Sequence, residues 1–530
     1  MSQLITIIEK LSKASPDAVY TPKSIFSIDT KKIFDYLYIE TDIEKKYKCL
    51  LEQYKNSTSI IFLSGSSGDG KSAIIGRNQD GYKEYFDSHI DATHSFRPNQ
   101  SAIEALDEVF TNFKNNKKSL VVGINIGILL NFSREGSSEH NDIKDAITLY
   151  INNKEQSEKI IFINFEDYPK FELTNNAISS SFIHHLLNKI TLQSSMNPFY
   201  SAFDEDLKNN IHTTVHQNFK LLSIEAIQSS IVELLVTTHL KYDQFLTTRG
   251  IIDFIYTVLK GPKLLIDQLF EDDSNAIIQN IRKEDPILYR TKQLDTFILE
   301  RSSKKNDIEL EIFIEQFNSI CKDPILKSNN PHTLIRTFFL FRKTECSSNY
   351  HKKFAEDYND EATLEFIRII SANNSSENKS IINNFYKEMR KAIFAYANKH
   401  APLLTDKKLF TFSYLNGYHI CTQVKIQQDA EALKKTDDTA INSFQCALKV
   451  NDHSIDPITI SLSMYKMILS INQGYRPNKH DRNSIIIFEE LLEKIADKVK
   501  NANELVFTKN NTDFTFTNNI DEIEVSKHVN

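Results

Sequence analysis

The sequence predicts an α/β protein: a doubly wound, mostly parallel sheet, then a helical lid and a helical region, then a smaller C-terminal α/β domain. Three observations carry this expectation. Strand-like and helix-like runs alternate from residue 59 to about 171, the pattern becomes helical past residue 200, and strand and hairpin patterns return from about 406. At 530 residues the chain is too long for one small core. The expected divisions are 1–48 (helical lead-in), 49–200 (sheet core), 201–300 (lid), 301–405 (helical region) and 406–530 (C-terminal α/β domain), with "RSSKKND" (301–307) as a charged break.

Composition narrows the function classes. Apolar residues make up 40% and charged residues 25%, as in ordinary globular proteins. A net charge of −7 argues against coating nucleic acid by bulk charge, and leaves a local basic patch open. Cys49, Cys321, Cys346, Cys421 and Cys446 are scattered and odd in number, which favours a reducing compartment without structural zinc. The longest apolar stretch, "LVVGINIGILLNF" (120–132), is 13 residues and contains Asn125. Spanning a bilayer takes about 20 apolar residues, so this reads as a buried strand and turn. Glu9 and Lys10 interrupt the apolar pattern of the N-terminus, unlike a signal peptide. The expectation is a cytoplasmic protein with no membrane partner.

The lead-in is helical, with "SPDAVYTPKS" (15–24) as an irregular connector. "SIIFLSG" (59–65) then has the β-branched and aromatic character of a buried parallel strand. The chain has only 12 glycines, and eight of them lie between residues 65 and 136. Gly65-Ser66-Ser67-Gly68-Asp69-Gly70-Lys71-Ser72 matches G-x-x-x-x-G-K-[ST] in full, between that strand and a helical pattern. Such a loop turns its backbone N–H groups toward an anion, which needs open φ/ψ at the glycines. The next helix adds its N-terminal dipole and free N–H groups. The motif predicts a P-loop NTPase core that binds ATP, with Lys71 on the β- and γ-phosphates and Ser72 on Mg²⁺.

The remaining strand ends supply candidates for the other parts of an ATPase. Asp91 follows "YFDSH", Asn125 ends "VVGIN", and Glu166 and Asp167 follow "IIFIN". A P-loop ATPase uses an acid at a strand end to hold Mg²⁺ and position water. None of these strands ends in a clean Asp-Glu pair, so Asp91 and Glu166 stand together as the leading acids, with Asp91 also a metal candidate. The pair Asp107 and Glu108 lies in "SAIEALDEVFTNF", which reads as an amphipathic helix. Asn125 fits a γ-phosphate sensor or a turn-forming residue before Gly127. Arg249, in "FLTTRG", fits a lid arginine on the γ-phosphate or a surface charge. Arg77, Arg97 and Arg134 are unassigned, and the adjacent His184 and His185 point to different helix faces, a poor metal pair. Basic residues in "PHTLIRTFFLFRK" (331–343) and "NFYKEMRKAIFAYANK" (384–399) are open to DNA contact or to a charge-laced helix face. The loop "NQGYRPNKHDRNS" (472–484) offers Arg476, Lys479 and Arg482 beside Tyr475 as a phosphate or partner contact, or a turn set by Gly474 and Pro477.

"LSGSSGDGKS", "HIDATHSF…AIEALDEVF", "VVGINIGILLNF" and "GYRPNKHD" together resemble the DptF (DndF) family, in order and approximate spacing from about residue 50 to 485. That resemblance implies a component of a bacterial restriction system that attacks DNA lacking a phosphorothioate mark. It implies two sister proteins, DptG and DptH, as partners, and DNA reached directly or through them. Gly65, Gly70, Lys71 and Ser72 carry over from the motif, and the acidic partner does not. The expected activity is ATP hydrolysis that drives assembly or remodelling of a restriction complex. The alternative is a nucleotide-gated switch or scaffold with little hydrolysis. A small-molecule P-loop kinase is disfavoured by the size of the regions after residue 200. An oligomer is compatible with the sequence.

Overall fold

The computed structural model describes residues 2–13, 28–93, 95–97, 99–116, 118–152, 157–174, 177–327, 329–374, 379–433, 442–477, 481–509, 512–518 and 522–529. The connector 15–24 and Lys479 lie outside the described residues. The chain forms two compact units: Met1–Glu172 with Ser179–His239 and Asp243–Asn359, and Leu173–Ile178 with Leu240–Tyr242 and Asp360–Asn530.

The first unit is α/β. Strands β1 (Ile60–Ser64), β2 (Phe86–His89), β3 (Ser119–Ile124) and β4 (Ile160–Asn164) form a parallel sheet in the order β2-β3-β1-β4. Ile60 pairs with Leu120 on one side and Ile160 on the other. Helices α1 (Gln3–Glu9), α2 (Ile28–Leu37) and α3 (Asp42–Tyr54) precede β1; α4 (Lys71–Tyr82), α5 (Ala102–Asn115), α6 (Ile126–Glu135) and α7 (Asn141–Ile151) connect the strands. The sheet is buried on both faces, which is why β1 and β3 are continuous apolar runs without alternation. Ile60, Phe62, Val122 and Phe162 pack against α5, α6 and α7; Ile61, Leu63, Val121 and Ile163 pack against α3 and α4. At Gly123 a β-carbon would collide with the carbonyl oxygen of Ile90, so this glycine permits the close approach of the segment leaving β2.

Helices α8 (Ser181–Thr191), α9 (Pro198–Lys208), α10 (Thr214–Leu222), α11 (Glu225–Tyr242) and α12 (Thr248–Lys260) follow the sheet. Residues 301–307 link two further helices, Lys292–Ser302 and Ile308–Cys321, inside this unit. The lead-in helix α1 joins this helical core, with Leu4 and Ile8 among Phe199, Phe203 and Phe254. Its start is held by the buried Asp206, whose carboxylate accepts from Ser2 Oγ (2.5 Å), Gln3 N (2.9 Å) and Leu4 N (3.0 Å). His216 Nε2 lies 3.2 Å from the same carboxylate. The helix Pro331–Phe341 is nearly all buried. Its Arg336 is 2% exposed and bonded to Asp267, Glu271 and Asp285, and Arg342 pairs with Glu233. Arg336 and Arg342 therefore neutralise carboxylates of their own unit, while Lys343, paired with the same Glu233, keeps an exposed side chain.

In the second unit, helices Glu361–Asn374, Lys379–Ala397 and Leu462–Asn472 share an aromatic cluster in which Phe385 lies 4.9 Å from Phe444 and Phe366 lies 5.9 Å from Tyr465. A five-stranded antiparallel sheet follows: β5 (Leu409–Leu415), β6 (Tyr418–Gln423), β7 (Glu504–Lys509), β8 (Thr512–Asn518) and β9 (Ile523–Val529), in the order β9-β8-β7-β6-β5. Asn416 and Gly417 join β5 to β6 with φ of 52° and 86°, the two-residue hairpin that takes left-handed residues at both positions. Among the described residues, no helix is long and apolar enough to cross a membrane.

Burial opposes the charge of Asp206; the bonds from Ser2, Gln3 N and Leu4 N and the neighbouring His216 outweigh it and hold its pKa below the ordinary value of 3.8. A carboxylate depressed in this way stabilises the fold above its unfolded pKa and loses that contribution as pH falls through the folded one. Asp206→Asn should therefore cost about 1–3 kcal/mol at neutral pH and flatten the acid limb of the stability profile below about pH 4, measured by urea unfolding across pH.

Candidate nucleotide-binding site

The candidate site starts where β1 runs out. Ser64 is buried, and Gly65 N makes a last bond to Ile124 O of β3 at 3.2 Å. A β-carbon at Gly65 would press on the Phe165 ring at 2.8 Å. The loop then turns through Gly68 (φ +88°) and Gly70 (φ +110°), conformations that a side chain opposes. Asp69 closes the turn: Ser66 N donates to its Oδ2 (2.7 Å), and Asp69 N donates to Ser66 O (3.3 Å). At Gly70 a β-carbon would meet nothing within 4 Å, so the loop is open on that side.

Helix α4 begins there, and its first helical bond runs from Ile74 N to Gly70 O. The N–H groups of Lys71, Ser72 and Ala73 precede that bond and belong to the unclaimed set at a helix start. Lys71 folds back over the loop, with Nζ donating to Gly65 O and Ser66 O at 2.8 Å each. Burial pushes the Lys71 pKa down, and the negative charges of Asp69 and Asp91 oppose that shift. A half-buried ammonium thus lies beside a helix start whose first N–H groups have no helical partner, a combination suited to an anion.

The outer side of the loop is clamped by residues distant in sequence. Arg249 N donates to Gly68 O (3.1 Å), and Thr248 Oγ1 donates to Asp69 O (3.2 Å). Gly68 faces Arg249 Cβ and Thr247 Oγ1, where a side chain would crowd. Lys170 Nζ bonds Asp69 Oδ1 (3.1 Å) and Leu246 O (3.2 Å). Neither Lys170 nor the contact of Thr248 with the loop is announced by a motif, because contacts spanning 101 and 179 positions leave no local pattern.

The sequence candidates fall in different places. Asp91 sits just past β2, with Ala92 N bonded to Gly123 O, and its Oδ1 accepts from Thr93 N and Oγ1. Its charge reaches Lys71. Asn125 follows β3 and caps α6, its Oδ1 accepting from Ile128 N at 2.8 Å. Glu166 is exposed in a short turn after β4, where its charge and that of Asp167 act on Tyr150. The backbone of Arg249 touches the loop while its guanidinium donates to Lys13 O (3.1 Å). Burial lowers the Arg249 pKa, with Asp253 opposing. Asp107 and Glu108 lie on the amphipathic helix α5, and Asp107 Oδ1 accepts from Ser137 N. Arg77 stacks over Tyr38 and pairs with Asp35; Arg97 and Arg134 are exposed. His184 and His185 lie on α8, and no group of three His, Cys, Asp or Glu suited to a metal occurs among the described residues. In the second unit, Tyr475 bonds Asp481 and Arg476 reaches Lys399 O.

No protein-family model, characterised protein or solved structure matches this chain.

Lys170 and Asp69 are 13% and 11% exposed, so deleting the ammonium leaves a poorly solvated carboxylate inside the loop. Lys170→Met is expected to cost about 1–3 kcal/mol and to speed amide hydrogen exchange at residues 66–70, read by denaturant unfolding and mass spectrometry.

Proposed function

We propose that residues 65–72 bind the phosphates of Mg-ATP, and that the chain is a cytoplasmic ATPase component of a bacterial phosphorothioation-dependent restriction complex. The observation that carries the phosphate site is Lys71: its ammonium rests on two loop carbonyls between left-handed glycines and a helix N-terminus. A cation held this way has oxygen partners that an anion's oxygens can replace at no loss of hydrogen bonding. The residues fit the group. Gly70 leaves the loop open on one side, and the Lys71, Ser72 and Ala73 N–H groups stand at the start of α4.

Lys71 would neutralise phosphate charge, and Ser72 with Asp91 would hold Mg²⁺. Bound Mg²⁺ supplies the charge that stabilises the transferring phosphoryl group. Asp91 is favoured over Glu166 for the metal, because its charge acts on Lys71 whereas that of Glu166 acts on Tyr150. Asn125 and Arg249 would serve as positioning groups for the terminal phosphate if they leave their present partners, Ile128 N and Lys13 O. The restriction role, with DptG and DptH as partners on unmodified DNA, is supported by the resemblance alone.

A second reading has its own support. Arg249 N and Thr248 Oγ1 bind the loop directly, so a change of loop shape on nucleotide binding would be felt by α12. The chain would then act as a nucleotide-gated switch or scaffold with slow turnover.

Calorimetry and phosphate release, each with and without duplex DNA, separate the two. Lys71→Ala should weaken Mg-ATP binding by about 10-fold or more and abolish turnover. Asp91→Asn should retain binding and lose about 100-fold in kcat, while Glu166→Gln stays within about two-fold of wild type. Wild-type binding by Lys71→Ala would overturn the phosphate site. Tight binding without turnover under either condition would select the switch.

A further inference from the structure

The antiparallel sheet of the second unit has two unlike faces. Pairing of Val506 with Cys421 and Thr508 with Asp513 defines one of them, and Val506 and Cys421 join Leu404 and Leu409 in a buried cluster. The sheet's described carboxylates, Glu504, Asp513 and Glu524, all fall on this face by register, since Thr517 pairs with both Glu504 and Glu524. The opposite face carries Phe507, Phe514, Phe516 and Tyr418, each only half-buried. Phe507 meets Phe516 edge-on at 4.7 Å, and Tyr418 meets Phe514 at 6.2 Å. Lys509 Nζ lies 5.0 Å from the Tyr418 ring centre and Lys527 Nζ 5.7 Å from that of Phe514. No carboxylate stands among the described residues of this face.

We propose that this face binds single-stranded DNA, with unstacked bases on Tyr418 and Phe514 and backbone phosphates on Lys509 and Lys527. The charge pattern decides between occupants. An apolar protein surface, or a second copy of the face, would bury two ammonium groups with no carboxylate to meet them, which is costly. A polynucleotide brings a phosphate for each lysine and a flat ring for each aromatic side chain. Duplex DNA does not suit the face, because its bases are stacked on one another and only their edges are open. The choice of DNA over RNA rests on the DNA-directed role proposed above; the ring and lysine pattern does not.

The test uses the full chain and a fluorescein-labelled oligodeoxythymidylate of about 20 nucleotides, read by anisotropy over a range of salt concentrations. Wild type should bind, and Tyr418→Ala and Phe514→Ala should each weaken binding by about 10-fold. Lys509→Gln with Lys527→Gln should reduce the slope of log K against log salt by about 1.4, at about 0.7 per phosphate contact. Thermal unfolding midpoints matching wild type show that each variant is folded. Wild-type protein that binds the oligonucleotide and fails to bind Mg-ATP would overturn the nucleotide site alone and leave this face standing. The proposal is overturned by absence of oligonucleotide binding, by a salt slope indifferent to both lysines, or by tighter binding of an oligouridylate of equal length. Lysine variants that change self-association in sedimentation while the oligonucleotide goes unbound would overturn it in favour of a second copy.

Discussion

One carboxylate organises the candidate nucleotide site. Asp69 takes the Ser66 N–H on one oxygen and the Lys170 ammonium on the other, and its backbone carbonyl takes the Thr248 hydroxyl. Because the pair is mostly withdrawn from water, the Coulombic attraction is weakly screened and neither partner can be lost cheaply. The same carboxylate opposes the burial-driven fall in the Lys71 pKa. The shape of the loop thus depends on one residue, which with Asp91 also sets the field around Lys71. Through Lys170 and Thr248 that residue also joins the segment after β4 to the first turn of α12.

Much of the first unit was legible in the sequence because its signals are local. The β1 and β3 runs are continuous and apolar, so a sheet covered on both faces follows from them, and the glycine spacing announces a strand–loop–helix turn. The four parallel strands agree with the expected sheet. Less was legible at the edges of the site. Asn125 reads as either a sensor or a turn residue, and the structure shows its side-chain oxygen capping α6. Lys170 carries no motif at all, since its role comes from a contact across 101 positions. The burial of Arg336 in 331–343 was hidden for a different reason. A helix pattern shows where charges sit on a cylinder, but not that Asp267, Glu271 and Asp285 would surround Arg336 in the interior.

Charge is distributed in the second unit in a way that net composition conceals. A chain of net charge −7 argues against bulk nucleic-acid binding, yet one sheet face keeps two lysines and four rings with no carboxylate among its described residues. Strand alternation makes this separation possible, because a period of two sends neighbouring residues to opposite faces. Thr508 and Lys509, or Asp513 and Phe514, are adjacent in sequence and meet different surroundings. A window average over either pair reports neither face.

Strand order also bears on which acid can serve the site. Adjacent strands lie about 4.8 Å apart, so the end of β2 is roughly 10 Å from that of β1, with β3 between them. A carboxylate at that offset is too far to bond Lys71 directly. Asn125, just past the intervening strand, carries no charge, and its side-chain oxygen is engaged at the start of α6. Glu166, at the end of the strand on the other side of β1, is nearer by strand count than Asp91. Its charge nevertheless acts on Tyr150. The close packing at Gly123 lets the β2 exit, which carries Asp91, approach β3.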